Sequence, residues 1–269
     1  MNLSAERLRR ILNEGPVPFR FGDYINQGFQ FMNKNLGLLI AFMLVSSVIS
    51  FICQSIPYLG FVLSLIVSPV LSVGYSQFTY MVSRGRQPDF GEFFKGFSKI
   101  GPLILTYLLM TVISVLALLP GLFFWYQAGM FEWFQEIMAQ YPLLQDIPDL
   151  REMVDMSKFW TGLLLMVVGG MTVSILFIWA LQITWFFDAG PLESLDASRR
   201  LISRNWGSML GFLIVTGLIT VSGVLLCGFG LLYTVPAMVC AQFFAFADAV
   251  HLLDDPEADQ PDLIDHFIA

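Results

Sequence analysis

Residues 35–83 decide the fold, and they read NLGLLIAFMLVSSVISFICQSIPYLGFVLSLIVSPVLSVGYSQFTYMVS, 49 residues without a charged side chain. A transmembrane helix needs about 20 consecutive apolar residues, so this run is long enough for two spans. The polar and turn-forming residues 54–60 interrupt it near its middle, where Pro and Gly favour a tight turn. The stretch therefore predicts a transmembrane helical hairpin.

Three more charge-free runs follow, at 100–131, 159–187 and 205–247, and the last is again broken, at Cys227-Gly228-Phe229-Gly230. The first two hold one span each and the last holds two. Only 13% of the 269 residues are charged and 56% are hydrophobic, whereas about a quarter of the residues in a soluble domain are charged. We therefore predict an all-α, polytopic transmembrane helical bundle with six spans, at 36–56, 60–83, 101–125, 159–187, 208–227 and 230–248.

Lysine and arginine fix the expected orientation, since they are enriched in cytoplasmic loops. The loops on one side carry twelve of them, and the 127–158 loop on the other side carries only Arg151 and Lys158. Both termini are therefore expected in the cytoplasm. The predicted organisation is a cytoplasmic N-terminal segment (1–20), a single six-span transmembrane domain (21–251) with an extracytoplasmic loop (127–158), and an acidic cytoplasmic tail (252–269). The tail is expected to be solvated, with pairing to the basic loops as the alternative.

The start of the chain contains no apolar core followed by a cleavage site within its first twenty residues. We therefore expect no removable signal peptide, and the first span is expected to act as its own insertion signal.

An internal repeat organises the spans. Each hairpin is entered through a similar tripeptide, Asn35-Leu36-Gly37, Lys99-Ile100-Gly101 or Asn205-Trp206-Gly207. Each also closes on a Gln followed by an aromatic-rich segment, at 77–83, 182–188 and 242–248. Because both ends match, we predict three repeated units, each an interfacial amphipathic helix followed by a transmembrane hairpin.

The short segments that enter the hairpins have amphipathic periodicity, with apolar residues three and four positions apart. The apolar sets are Phe90, Phe93, Phe94 and Phe97; Phe21, Ile25, Phe29 and Met32; and Leu192, Leu195, Ile202 and Trp206. One interpretation is that these helices are connectors resting at the membrane interface. The other is a surface that docks anionic lipids or partners, since each nearby basic residue contributes about 1 kcal/mol of attraction. The candidate headgroup contacts are Arg84, Arg86, Lys95, Lys99, Arg199, Arg200 and Arg204.

Several chemistries lack the residues they need. No charged residue lies inside a predicted span, which argues against a proton relay. Both histidines, His251 and His266, fall in the C-terminal region, so His-based hydrolysis has no support. The three cysteines have no metal or disulfide spacing. A net charge of −7 normally argues against nucleic acid and anionic lipid, but it is an average over compartments that the membrane separates, so its distribution matters more. No nucleic-acid partner is expected. The expectation is no enzyme, no cofactor and no metal.

The best candidates for a shared polar site are the three glutamines, Gln77, Gln182 and Gln242. They lie at similar depth in the repeat, about 9 Å inside the cytoplasmic helix ends at 1.5 Å rise per residue. One hypothesis is that they line a central cavity. The alternative is that each hydrogen-bonds a neighbouring helix, as intramembrane Gln commonly does.

The last third of the chain resembles a known family. The carrying stretches are 188–200 (DAGPLESLDASRR), Asn205-Trp206-Gly207, the 227–230 turn and Thr234-Val235-Pro236. They are similar to the closing half of bacterial six-span inner-membrane proteins of unknown function, which themselves resemble the membrane domain of glycerophosphodiester phosphodiesterases. The resemblance implies a bacterial inner (cytoplasmic) membrane location and no established active site. No soluble phosphodiesterase domain is recognised in the 269 residues, so it implies no hydrolysis.

Two function classes follow from these patterns. The first is a non-enzymatic membrane scaffold or regulator that engages membrane lipids or other membrane proteins. The second is a channel or transporter for a neutral or amphiphilic solute, with the Gln layer as its site. A polar cavity that reaches all three glutamines would favour transport, and a packed centre would favour the scaffold.

Overall fold

The structure is a computed structural model that describes residues 5–13, 15, 18–56, 59–140, 150–226 and 228–254. Most of these residues are helical, and no strand occurs among them. Two segments are 3₁₀-helical, Phe90–Lys99 and Gly223–Leu226. The α-helices are α1 (Ala5–Asn13), α2 (Phe21–Lys34), α3 (Leu36–Gln54), α4 (Leu59–Ser83), α5 (Ile100–Gln127), α6 (Met130–Gln140), α7 (Leu150–Met153), α8 (Met156–Leu176), α9 (Ala180–Phe187), α10 (Pro191–Arg204), α11 (Trp206–Ser222) and α12 (Leu231–Ala249).

Six helical stretches of the described chain are long and apolar enough to cross a membrane. They are Leu36–Gln54, Leu59–Ser83, Phe90–Gln127, Met156–Phe187, Trp206–Leu225 and Leu231–Ala249. The predicted all-α bundle with six spans is therefore confirmed. The fourth stretch is interrupted by a turn at 177–179, between α8 and α9. Five predicted features lie partly outside the described residues: the N-terminal segment 1–20, the first hairpin turn at 54–60, the 127–158 loop, the last turn at 227–230, and the tail 252–269.

The chain forms two compact units. The larger one contains Met1–Leu108 and Phe177–Ala269, and the smaller one contains Leu109–Leu176. Residues 21–251, predicted as one transmembrane domain, contribute to both.

In the smaller unit, α5 and α8 approach closely through small residues. A Cβ on Gly121 would lie 2.6 Å from the Gly162 carbonyl oxygen, and one on Gly169 would lie 2.7 Å from the Ala117 carbonyl oxygen. The Trp125 indole donates a hydrogen bond to the Phe159 carbonyl oxygen (3.2 Å) and stacks on the Phe159 ring. Small residues that permit backbone contact are the usual means of joining helices in lipid.

In the larger unit, three short helices each pack on the second span of another hairpin. The 3₁₀ segment Phe90–Lys99 packs on α4, α10 packs on α9, and α2 packs on α12. Each short helix thus lies on the closing span of the hairpin before it in the chain, and α2, which has none before it, lies on the closing span of the last hairpin. The arrangement is cyclic.

The three closing spans meet at the centre of this unit. The Thr79 hydroxyl of α4 contacts the Cys240 thiol of α12 at 3.5 Å, and the Phe186 ring of α9 lies beside the Phe243 ring of α12 at 6.1 Å. The apolar 18-residue stretch of α12 is 56% buried inside the structure, whereas that of α3 is only 17% buried. The closing span α12 is therefore interior, while the entering span α3 faces outward.

The buried sides of the short helices agree only in part with the expected apolar faces, since Met32, Leu195 and Ile202 are buried as expected. In α2 the buried residues are Tyr24, Gly28, Phe31 and Met32, whereas the expected Phe21 is 45% exposed. In α10 the expected Leu192 is 72% exposed, because the side that packs on α9 contains small residues such as Ser194 and Ala197. These helices are therefore fixed by contacts with neighbouring helices as well as by their own amphipathic pattern.

Candidate functional site

The three glutamines occupy the expected positions in the closing spans, but their side chains have different surroundings. Gln77 Oε1 accepts a hydrogen bond from Trp185 Nε1 of α9 at 2.9 Å. Gln182 Nε2 donates to the Ser76 hydroxyl of α4 at 2.9 Å, and Gln182 Oε1 is buried without a partner among the described residues. Gln242 makes no side-chain hydrogen bond within the described chain. Gln77 and Gln182 thus join α4 to α9, which agrees with the alternative that each glutamine hydrogen-bonds a neighbouring helix.

Gln77 also lines a cavity of about 250 Å³, which we call the basic pocket. It lies where α4 and α9 end and where the 3₁₀ segment enters α5. Its wall combines positive charge, polar groups and aromatic rings: Gln77, Tyr80, Met81, Arg86, Lys95, Ser98, Lys99, Trp185, Phe186 and Leu252. The structure therefore brings three candidate headgroup contacts, Arg86, Lys95 and Lys99, together with one of the three glutamines.

Lys99 is held at the end of α9. Its Nζ lies 3.0 Å from Asp188 Oδ1, donates to the Trp185 carbonyl oxygen at 3.4 Å and lies 5.6 Å from the Trp185 ring centroid. Asp188 has a left-handed backbone conformation (φ 51°) at the α9 C-cap, which directs its carboxylate to Lys99. A cation beside the last carbonyls of a helix is stabilised by the helix dipole, so this ammonium group is positioned before any ligand arrives.

Lys95 and Ser98 of the pocket wall belong to the 3₁₀ segment. It begins at Asp89, whose side chain accepts from the Gly91 amide, the N-cap role that its position before the segment suits. Lys95 Nζ lies 2.6 Å from Glu92 Oε1, and its side chain is half exposed. The Ser98 hydroxyl donates to the Lys95 carbonyl oxygen at 2.8 Å, which leaves its oxygen able to accept. Lys95 and Ser98 therefore share a short, rigid stretch of backbone.

The pocket wall is basic in composition. Three cationic side chains line it, and none of its described lining residues is a carboxylate. Lys95 pairs with Glu92 and Lys99 pairs with Asp188, both of which lie outside the lining. A wall of this composition favours an anion over a cation or a neutral solute.

The other four candidate headgroup contacts lie elsewhere. Arg84 donates to the Leu252 carbonyl oxygen at 2.7 Å, and Arg204 donates to the Leu12 carbonyl oxygen at the end of α1. Arg199 and Arg200 both pair with Asp196, each at 2.7 Å, and the hydrogen bond from Arg199 is the main reason that the pKa of the Asp196 carboxyl is lowered. Arg84 and Arg204 therefore fasten helix ends, while Arg199 and Arg200 lie on the exposed side of α10.

A second cavity, of about 20 Å³, lies between α1, α2, α10, α11 and α12 and is large enough for about one water molecule. The Tyr24 hydroxyl donates to Asp248 Oδ2 at 2.5 Å beside it, and Arg20 lies 3.6 Å from the other carboxylate oxygen. Burial, followed by this hydrogen bond, raises the pKa of Tyr24 to about 12. The Tyr24 hydroxyl therefore stays protonated over the physiological pH range, and its hydrogen bond to Asp248 joins α2 to α12.

Sequence reasoning did not find Trp185 as a site residue. It lies three positions after Gln182, in the register that holds Tyr80 after Gln77 and Ala245 after Gln242. That register was the available signal, because Tyr80 and Trp185 both line the pocket. The contact between Trp185 and Gln77 joins residues 108 positions apart, which no local pattern reveals.

The described residues contain no group of three His, Cys, Asp or Glu side chains that could hold a metal ion. Compared with known proteins, the chain matches no family model, no curated protein and no solved structure. The resemblance of its last third to bacterial six-span inner-membrane proteins therefore stays a prediction.

Proposed function

We propose that this multi-pass membrane protein is a non-enzymatic scaffold or regulator that binds an anionic membrane lipid, with the lipid headgroup in the basic pocket. The observation that carries the proposal is the 250 Å³ cavity with Arg86, Lys95 and Lys99 in its wall. The aromatic and apolar residues of the same wall, Tyr80, Phe186 and Met81, suit the first carbons below a headgroup.

The proposal includes a location. The pocket lies at the end of the bundle that holds most of the Lys and Arg residues, and this bias supports a cytoplasmic position for that end. We propose the bacterial inner membrane, where anionic lipids attract basic segments. The transport alternative has less support, because Gln77 lines the basic pocket whereas Gln182 and Gln242 do not.

Removing two charges from the pocket is expected to weaken lipid retention. Each basic residue near the leaflet contributes about 1 kcal/mol, so the double variant Arg86→Ala, Lys95→Ala is expected to retain an anionic phospholipid about 30-fold more weakly. Native mass spectrometry of the purified protein, titrated with anionic or zwitterionic lipid, measures the retained lipid directly.

The matched control is Arg199→Ala, Arg200→Ala, which removes the same charge from the exposed side of α10. We expect it to retain the lipid as the wild type does. An equal loss of lipid retention in both double variants would show that general surface charge, and not the pocket, causes the retention. Absence of anionic-lipid retention by the wild type would contradict the proposed function itself.

A further inference from the structure

The hydrogen bond between Trp185 and Gln77 determines which way the Gln77 amide faces. An indole N–H can only donate, so the atom of Gln77 that lies 2.9 Å from Trp185 Nε1 is the carbonyl oxygen. The amino group then has no hydrogen-bond partner among the described residues. It is also not fully buried, so it remains accessible. Because Gln77 lines the basic pocket, this oriented amino group is available to an occupant of the cavity.

The pocket wall is rich in donors. The Arg86 guanidinium, the Lys95 and Lys99 ammonium groups and the Gln77 amino group belong to four side chains around one cavity. A carboxylate has two oxygens, whereas a phosphate ester presents up to three non-bridging oxygens in a tetrahedral arrangement. Charge-assisted hydrogen bonds to phosphate oxygens are short and strong, so a donor set of this size and spread suits phosphate better than carboxylate.

We infer that the basic pocket recognises a phosphate ester and that Gln77, oriented by Trp185, is the residue that distinguishes it from other anions. The inference rests on the proposed function and deepens it, since it names the ligand class and a neutral specificity residue. Lys95, Lys99 and Arg86 supply attraction to any anion. The Gln77 amino group adds a directed hydrogen bond to one further oxygen of a tetrahedral phosphate.

The test compares anionic amphiphiles on the full-length protein by native mass spectrometry. The ligands are phosphatidic acid, phosphatidylglycerol and the carboxylate oleate, with inorganic phosphate as a soluble competitor. The wild type is expected to retain phosphatidic acid, a phosphate monoester with three non-bridging oxygens, at least about tenfold more strongly than oleate. Phosphatidylglycerol, a diester with two such oxygens, is expected to bind between the two. Displacement of lipid by millimolar inorganic phosphate would identify a soluble phosphate as the ligand, and its failure would identify the lipid headgroup; both results support phosphate recognition.

Two substitutions at Gln77 separate recognition from charge. Gln77→Glu keeps an acceptor for Trp185 but places a negative oxygen toward the phosphate, and like charges in contact cost enough for a loss of at least about 100-fold. Gln77→Met keeps the volume and removes the donor, so we expect a loss of about tenfold for phospholipid and little change for oleate. Trp185→Phe, which leaves the amide unoriented, is expected to lose affinity less than Gln77→Met.

The outcomes distinguish the inference from the proposed function. Retention of phospholipid by Gln77→Glu and Gln77→Met at the wild-type level, with a loss only in Arg86→Ala, Lys95→Ala, would overturn the role of Gln77 and leave the lipid site intact. Absence of anionic-lipid binding by the wild type would overturn both. If Gln77→Glu does not fold, Gln77→Met and Trp185→Phe decide the question, with thermal melting of the lipid-free protein as the folding check.

Discussion

Replacing Phe93 by alanine is expected to lower the free energy of unfolding by about 3–5 kcal/mol, the usual cost of emptying a buried aromatic site. The Phe93 ring is fully buried between two other rings, with centroids 4.1 Å from Phe42 of α3 and 4.3 Å from Phe78 of α4. The stack therefore joins the 3₁₀ segment to both helices of the first hairpin. Its loss also loosens the backbone that carries Lys95 and Lys99.

Thermal unfolding in detergent, followed by circular dichroism, measures this loss. The control is Phe97→Ala in the same segment, where the ring is 46% exposed and the expected change is about 0.5 kcal/mol. Because the segment shapes the pocket, Phe93→Ala is also expected to weaken lipid retention. Equal stability of the two variants would show that the three-ring stack does not hold the segment in place.

Replacing Gly28 by leucine is expected to separate α2 from α12. A Cβ at Gly28 would lie 2.5 Å from the Ala237 carbonyl oxygen and 2.8 Å from the Ala241 Cβ. Backbone atoms cannot yield as a flexible side chain can, so the substitution belongs at the upper end of overpacking costs, about 3 kcal/mol or more. The contact between Tyr24 and Asp248, one turn away on the same pair of helices, is expected to break with it.

The matched control is Gly22→Leu in the same helix, where a Cβ would meet nothing within 4 Å. Leucine is a better helix former than glycine, so this variant is expected to be as stable as the wild type or more so. Urea or thermal unfolding in detergent compares the two. A Gly28→Leu variant with wild-type stability would contradict the close packing of α2 on α12.

The sequence predicts the spans well because their signal is local. A charge-free run of about 20 residues admits one structure in lipid, a helix that satisfies its own backbone, and the Asn or Lys before each entering span marks its start. Helices α3, α5 and α11 begin directly after Asn35, Lys99 and Asn205. Topology of this kind needs no knowledge of tertiary contacts.

The faces of the short helices could not be predicted as well. The spacing Phe90, Phe93, Phe94 and Phe97 fits an α-helix, but the segment is 3₁₀-helical. With three residues per turn, Phe93 and Gly96 share one side, and these two are buried. Gly96 carries no apolar side chain, so a hydrophobic pattern does not register it. For the same reason, the hydrophobic pattern of α2 does not predict that Gly28 is buried.

The candidate site was predictable in its residues but not in its grouping. Arg86, Lys95, Lys99 and Gln77 follow from topology and repeat, because basic residues collect at one membrane face and glutamine is unusual in a span. These four share a cavity, while Arg199 and Arg200 lie on an exposed helix side. This grouping depends on contacts between segments about 100 residues apart in the chain. Trp185, which orients Gln77, depends on the same distant contact.

Protection of position 98 from labelling shows directly whether an anionic headgroup occupies the basic pocket. The variant carries Ser98→Cys in a background with Cys53→Ala, Cys227→Ala and Cys240→Ala, and it is reconstituted in zwitterionic liposomes with or without anionic phospholipid. A neutral, water-soluble maleimide reports access to position 98. A second variant with Ser203→Cys, on exposed α10, reports general access at the same membrane face.

If an anionic headgroup occupies the pocket, labelling at position 98 slows by at least about tenfold once the lipid exceeds its dissociation constant tenfold. Labelling at position 203 then stays unchanged. Equal labelling rates at position 98 with and without anionic phospholipid would contradict the account, because a headgroup held by Lys95 and Lys99 cannot leave the adjacent Ser98 position open.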